Sequence, residues 1–237
     1  AIRAAGALLN YAQETQRNNL PHIRSLQIEQ PDDAIIIDPA SRRNLEIDIN
    51  QKGDSQHTLA WIMDKTATAM GSRLLKRWLN RPLRDQALLQ QRQGFIAQLI
   101  QHYAAEELHS SLKQVGDIER ILSRVALGSA RPRDLARLRD ALAIVPDIRQ
   151  QLTRLDSALA EQLLERAQEF PHWVERLSKA IIENPPVIIR DGGVIAEGYD
   201  SELDELRALS ENAGDYLIKL EEQEKERTGI STLKVGY

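Results

Sequence analysis

The stretch Gly193-Val-Ile-Ala-Glu-Gly198 has the glycine spacing of a phosphate-cradling loop. Such a loop also needs Lys and then Ser or Thr after its second glycine. Backbone N–H groups hold the phosphates, and the lysine reaches the terminal one. Here Tyr199 and Asp200 follow instead, and a hairpin turn accounts for both glycines. The five histidines (His22, His57, His102, His109 and His172) contain no i,i+4 pair, and H-E-x-x-H is absent. No zinc-binding helix face is therefore encoded. His102 and His109, seven apart, share a helix face and read as surface histidines. The chain has no cysteine, which excludes disulfides, thiolate metal sites and cysteine nucleophiles. Carboxylates such as Asp200, Asp204 and Glu205 stand close together near the C-terminal end. On a solvated helix nothing desolvates one of them to make an acid/base couple. G-x-S-x-G is absent as well. The residues point to a body without catalytic chemistry.

The basic residues are more informative. Ala130-Arg-Pro-Arg-Asp-Leu-Ala-Arg-Leu-Arg139 places Arg133, Arg137 and Arg139 near one helix face. They suit either phosphate contacts or ion pairs with the acidic segment 199–228, and the chain's acidity favours the pairs. That segment has ten acids against four bases, whereas residues 71–92 have six bases against Asp85 alone. Both runs read first as solvated faces. No aromatics interleave with the bases, so stacking on single strands is not expected. Lys234, beyond the acidic segment, is the better placed candidate for a phosphate-backbone contact.

The elements that carry these residues are mainly helical. Of 237 residues, 42% are apolar, 28% charged and only 4% aromatic, with net charge −4. Leu, Ile and Ala dominate the apolar set, which favours helix over sheet. Periodicity predicts helices over 4–17, 58–64, 69–80, 85–101, 104–115, 117–127, 132–150 (with a kink at Pro146), 157–169 and 171–183. Asp38-Pro39 starts a further short helix with Leu45 and Ile47 inward and Arg42 and Arg43 outward. Leu26–Glu29 and Ala34–Ile37, around the turn Pro31-Asp32-Asp33, predict a small antiparallel strand pair. Val187–Ile189 and Val194–Ile195, around Arg190-Asp-Gly-Gly193, predict a β-hairpin near 187–195. The last helix starts near Asp200 and runs to Arg227, with a stripe of Leu203, Leu206, Leu209, Ala213, Tyr216, Leu217 and Leu220 expected to pack on the body. From Glu221 to Arg227 no apolar face remains, so the helix is expected to project. STLKVGY (231–237) then reads as a strand without a mate. No apolar stretch approaches the ~18–20 residues that cross a bilayer. The apolar start lacks the basic region of a signal peptide. These features predict a cytoplasmic fragment with no membrane partner.

Eight stretches in one order carry a resemblance: AAGALLNYAQETQ (4–16), LPHIRSL (20–26), SRRNLEI (41–47), GSRLLKRWLNRPLRD (71–85), VGDIERILSRVALGSARPRDLARLR (115–139), PPVIIRDGGVIAEGY (185–199), ELDELRAL (202–209) and ERTGISTLKVGY (226–237). From end to end the chain resembles the MutS family of DNA mismatch-repair proteins, its bacterial members above all. The resemblance implies the end of a connector region and linking helix over 1–25, a helical core domain over 26–199, and an outgoing lever helix with the first strand of a DNA clamp over 200–237. The core would couple an ATPase domain to the clamp. The family's Phe-x-Glu mismatch wedge and its Walker-type ATPase are not in this sequence. No catalytic, cofactor-binding or metal residue is therefore implied here; ATP and Mg belong to the full-length proteins. Implied partners of the full-length protein are mismatched double-stranded DNA, a second copy, and downstream mismatch-repair proteins. Two rivals stand beside this reading: a stand-alone helical protein–protein interaction module, and a helical enzyme whose site no motif betrays.

Overall fold

Several helices of this chain start where a short polar side chain satisfies their first N–H groups. The computed structural model describes residues 2–16, 20, 23, 25, 33–211 and 213–234. Its helices are α1 (Ile2–Gln16), α2 (Pro39–Asn44), α3 (Leu59–Met63), α4 (Ala69–Asn80), α5 (Gln86–Gln101), α6 (Ala105–Val115), α7 (Ile118–Ala126), α8 (Pro132–Ala143), α9 (Val145–Leu152), α10 (Ala158–Arg166), α11 (Pro171–Ala180), α12 (Ser201–Glu211) and α13 (Ala213–Thr228). Asp38, Thr58, Thr68, Asp85, Asp117 and Ser157 each accept an N–H from the first turn of the helix that follows. Proline occupies the first turn of α2, α8, α9 and α11, where its missing N–H costs nothing.

Packing follows the apolar faces. Leu152, Leu155 and Ala160 form a buried cluster, with Phe95, Leu99, Ala104, Leu108, Ile148 and Leu164 laid against it. It joins α5 and α6 to α9 and α10. Helix α8 packs against α6, α7 and α11, and its Ala136 and Ala141 are buried. Small side chains let neighbouring backbones approach, as close-packed interiors require. Ile121 of α7 is also buried.

Several expectations need correction. Among the described residues there is no sheet, only two isolated antiparallel bridges, Ala34 with Leu83 and Ile181 with Ile195. The N-terminal strand pair is thus not formed as expected. Leu26–Glu29 lies outside the described residues, and Ala34 pairs with Leu83, with Ile35 N–H donating to Pro82 at 2.8 Å. Pro82 has no N–H to extend that ladder. The hairpin near 187–195 is also not formed. Ile189–Asp191 is a 3-10 turn, and the 194–196 arm pairs with the end of α11 through Ile182 N–H to Val194 and Ala196 N–H to Ala180. The turn residues behave as expected, with positive φ at Gly192 and Gly193. The mate differs because Ile181 is worth burying, whereas 187–189 stays exposed and Pro185-Pro186 offers no donor.

Leu45 is 61% exposed while Ile47 is 3% exposed. Helix α2 stops at Asn44, Leu45 is its C-cap, and Glu46 has φ +45°, so the helical register that faced both inward does not continue. Arg42 is half-buried, donating to Asn80 Oδ1 at 2.8 Å. The predicted 132–150 helix divides at Ile144 into α8 and α9, one residue before the step that Pro146 disrupts. The expected terminal helix appears as α12 and α13, with residue 212 outside the description. Its stripe packs only in part: Leu203, Leu217 and Leu220 are half-buried, but Leu206 is 57% exposed and Leu209 37%. No residue after Pro185 whose burial is described is fully buried.

Ile121→Ala is expected to lower unfolding stability by about 2–5 kcal/mol through the cavity it leaves. Leu206→Ala should change it by no more than about 0.5 kcal/mol. Chemical denaturation of the two variants checks the contrast.

Candidate functional site

Among the described residues no cluster of three or more His, Asp or Glu side chains could hold a metal ion. What the side chains build instead is a set of polar joints between helices. Arg73 on α4 forks onto both oxygens of Asp117 at 2.8 Å and reaches Glu119 at 2.6 Å. Planar guanidinium and carboxylate groups match in this two-point geometry. Asp117 also caps α7 through Arg120 N–H, so one carboxylate fixes the start of α7 and its distance from α4. The Arg73 hydrogen bonds hold the Asp117 carboxyl below the usual carboxylate range and push the guanidinium's own ionisation higher.

The second joint links α7 to α8. Arg124 donates to both oxygens of Asp134, at 2.8 and 2.7 Å. Asp134 is buried and also accepts Arg131 N–H at 3.0 Å, closing the first turn of α8. The Arg124 fork holds its carboxyl below the ordinary range against the opposing effect of burial. A third joint sends Arg149 of α9 to the carbonyls of Leu164 and Ala167 and to Glu169 at 3.1 Å, covering the open C-terminal end of α10.

Among the described residues, Arg133 and Arg139 of α8 find partners other than the acidic segment. Arg133 Nε donates to the Pro185 carbonyl at 3.1 Å. Arg139 pairs with Asp140 at 2.9 Å and reaches the Glu183 carbonyl. Both therefore tie α8 to the chain after α11, a role that residue types alone did not reveal. Arg137 lies between them, lining a surface cleft with Asp140.

Helices α12 and α13 form the arm. Its ion pairs along α13 are local: Lys225 with Glu221 at 2.6 Å and Arg227 with Glu224 at 2.7 Å. Arg227 lowers the Glu224 carboxyl's pKa. After Thr228, Gly229 has φ +71° and ends the helix. Leu233 N–H closes a turn on Ile230, so 231–234 shows no strand pairing; residues 235–237 lie outside the description. Lys234 is exposed just past that turn. It stands apart from every joint above.

A family model for MutS domain III matches residues 40–226. The chain belongs to the MutS domain III family. The match begins in α2, takes in every joint of the body, and ends within α13. This MutS domain is thus a piece of a MutS-like mismatch-repair protein, mainly helical, and distinct from the ATPase domain. Lys234 falls beyond the matched range. No described helix of the MutS domain is long and apolar enough to cross a membrane.

Because Arg124 depresses the folded-state pKa of Asp134, that joint stabilises the fold above the ordinary carboxylate range and is lost as pH falls through the lowered value. Asp134→Ala should cost about 1–3 kcal/mol at neutral pH, leaving Arg131 N–H and the Arg124 fork without their acceptor. Asp134→Asn should flatten the acid limb of stability below about pH 4. Thermal melts across a pH series read both, and an unchanged acid limb would count against the joint.

Proposed function

We propose that this MutS domain is a mechanical coupler: the core and lever that connect an ATPase domain to a clamp on DNA. One observation carries the proposal. The arm continues as helix through α13 although no residue in it whose burial is described is more than half-buried. A helix keeps its backbone hydrogen bonds internal, so it transmits displacement without needing a surface to rest on. The 16 residues of α13 would span about 24 Å at 1.5 Å per residue.

The body's polar joints support the same reading. Bidentate ion pairs between α4, α7 and α8 resist sliding in a way that apolar contacts alone do not. A stiff base and a stiff arm are what a lever needs. The acidic arm disfavours phosphates along its length. Lys234, past its end, would contact the DNA backbone and add affinity without reading sequence.

ATP and Mg²⁺ belong to the ATPase domain of the parent protein. The residues here do not fit either: the phosphate loop lacks its lysine, and no described carboxylate cluster suits a metal. Partners of the parent would be mismatched duplex DNA, a second copy and downstream repair proteins, in the cytoplasm. A stand-alone interaction module is the weaker reading, because the family match extends from α2 into the arm itself.

The domain alone should neither hydrolyse ATP nor prefer mismatched over matched duplex; either activity at the level of a full-length protein would sink the proposal. In the parent, Lys234→Ala should weaken binding to matched and mismatched duplex alike. It should also reduce the slope of log K against log salt by about 0.9, the share of one phosphate contact. A loss confined to mismatched DNA would contradict a backbone role.

A further inference from the structure

The root of the arm carries a connected set of polar contacts. Arg207, in the second turn of α12, donates from Nη2 to the Ile195 carbonyl at 2.9 Å. Its Nη1 faces Asp204 Oδ1 at 3.5 Å. The other oxygen of Asp204 accepts Gly198 N–H at 2.8 Å. Asp200 caps the helix by accepting Leu203 N–H at 3.0 Å. Ile195 is itself fixed to the body, since its flanking residues pair with Ala180 and Ile182. That strip continues to Glu183 and Pro185, whose carbonyls are held by Arg139 and Arg133 of α8. Between the strip and the helix lies Gly198, with φ +79° and nothing within 4 Å of an added Cβ.

These contacts form one connected route from α8 to α12, crossing a single open glycine. Leu206, next to Arg207 on the helix, is largely exposed and Leu203 only half-buried, so apolar packing alone does not fix the arm at that point. We propose that Arg207 and Asp204 form a latch that fixes the angle at which the arm leaves the body, with Gly198 as the pivot. Arg207 is a positioning residue: it fastens the helix to the Ile195 carbonyl, while Asp204 fastens the turn at Gly198 to the helix. The latch rests on the coupler reading and names the place where the coupling is held.

The chain has no native cysteine, so two introduced ones label it uniquely. Spin labels at Glu161→Cys on α10 and Glu222→Cys on α13, both exposed positions, report the distance from body to arm by pulsed electron paramagnetic resonance. With Arg207 present, the distance distribution should be narrow and single. Arg207→Ala should broaden it about twofold or more, and Arg207→Lys, which keeps the charge but not the fork, should fall between. Asp204→Asn keeps an acceptor for Gly198 but removes the charge facing Arg207. It should broaden the distribution too, and it serves as the test if Arg207→Ala loses α12 by circular dichroism. Arg190→Ala, in the neighbouring 3-10 turn, should leave the width unchanged. An unchanged width in Arg207→Ala and Asp204→Asn overturns the latch, as does a distribution already broad with Arg207 in place. Coupling itself is read separately, as the response of DNA binding to nucleotide in the parent. A latch that fails with coupling intact removes this inference alone.

Discussion

The arm is held by little that is buried. After Pro185 no side chain whose burial is described is fully removed from water, and those of Leu203, Leu217 and Leu220 are half-buried, so the usual apolar driving force for docking a helix onto a body is weak there. The direction of the arm then depends heavily on backbone continuity and short polar contacts at its root. The rest of the molecule is consistent with that constraint. The hydrophobic cluster sits far back in the chain, around Leu152, Leu155 and Ala160, and the base of the arm is reached from it through α8 and the strip after α11.

The body is held differently from the arm. Its helices share small or aliphatic buried side chains, and its carboxylates are used twice. Asp117 caps α7 and receives Arg73; Asp134 closes the first turn of α8 and receives Arg124. A carboxylate that both ends a helix and binds a guanidinium couples helix position to helix start. The fork admits one geometry, so neighbouring helices cannot slide without breaking two bonds at once. A domain that would pass on movement gains stiffness from ionic joints where apolar contact would suffice for stability.

Much of this was legible in the sequence because it is local. Asp38-Pro39, Gly116-Asp117 and Pro132 mark helix starts through their own conformational preferences, and helices start at each. Pairing was not legible. Ala34 finds Leu83, and Ile195 finds Ile181, because the choice of mate depends on which residues are worth burying in three dimensions. The partners of the α8 arginines were hidden for a similar reason: their charges suggested the acidic segment 199–228, but Arg133 and Arg139 reach backbone carbonyls at Pro185 and Glu183, and the carboxylate that Arg139 meets is its neighbour Asp140. The root contact had a faint signal in Gly198, Asp200, Asp204 and Arg207, a pivot glycine followed by a cap and an i,i+3 pair. The apolar stripe drew attention away from it.

Amide hydrogen exchange tests the central claim most directly, because it reads protection residue by residue in the intact chain. Residues 118–143, where α7 and α8 are locked together, should exchange slowly and as one unit. Residues 221–228 should exchange orders of magnitude faster, like a helix resting on nothing. Equal protection across both stretches would mean that the arm's outer part is packed against the body, and the account of a stiff base with a free-standing lever would be wrong.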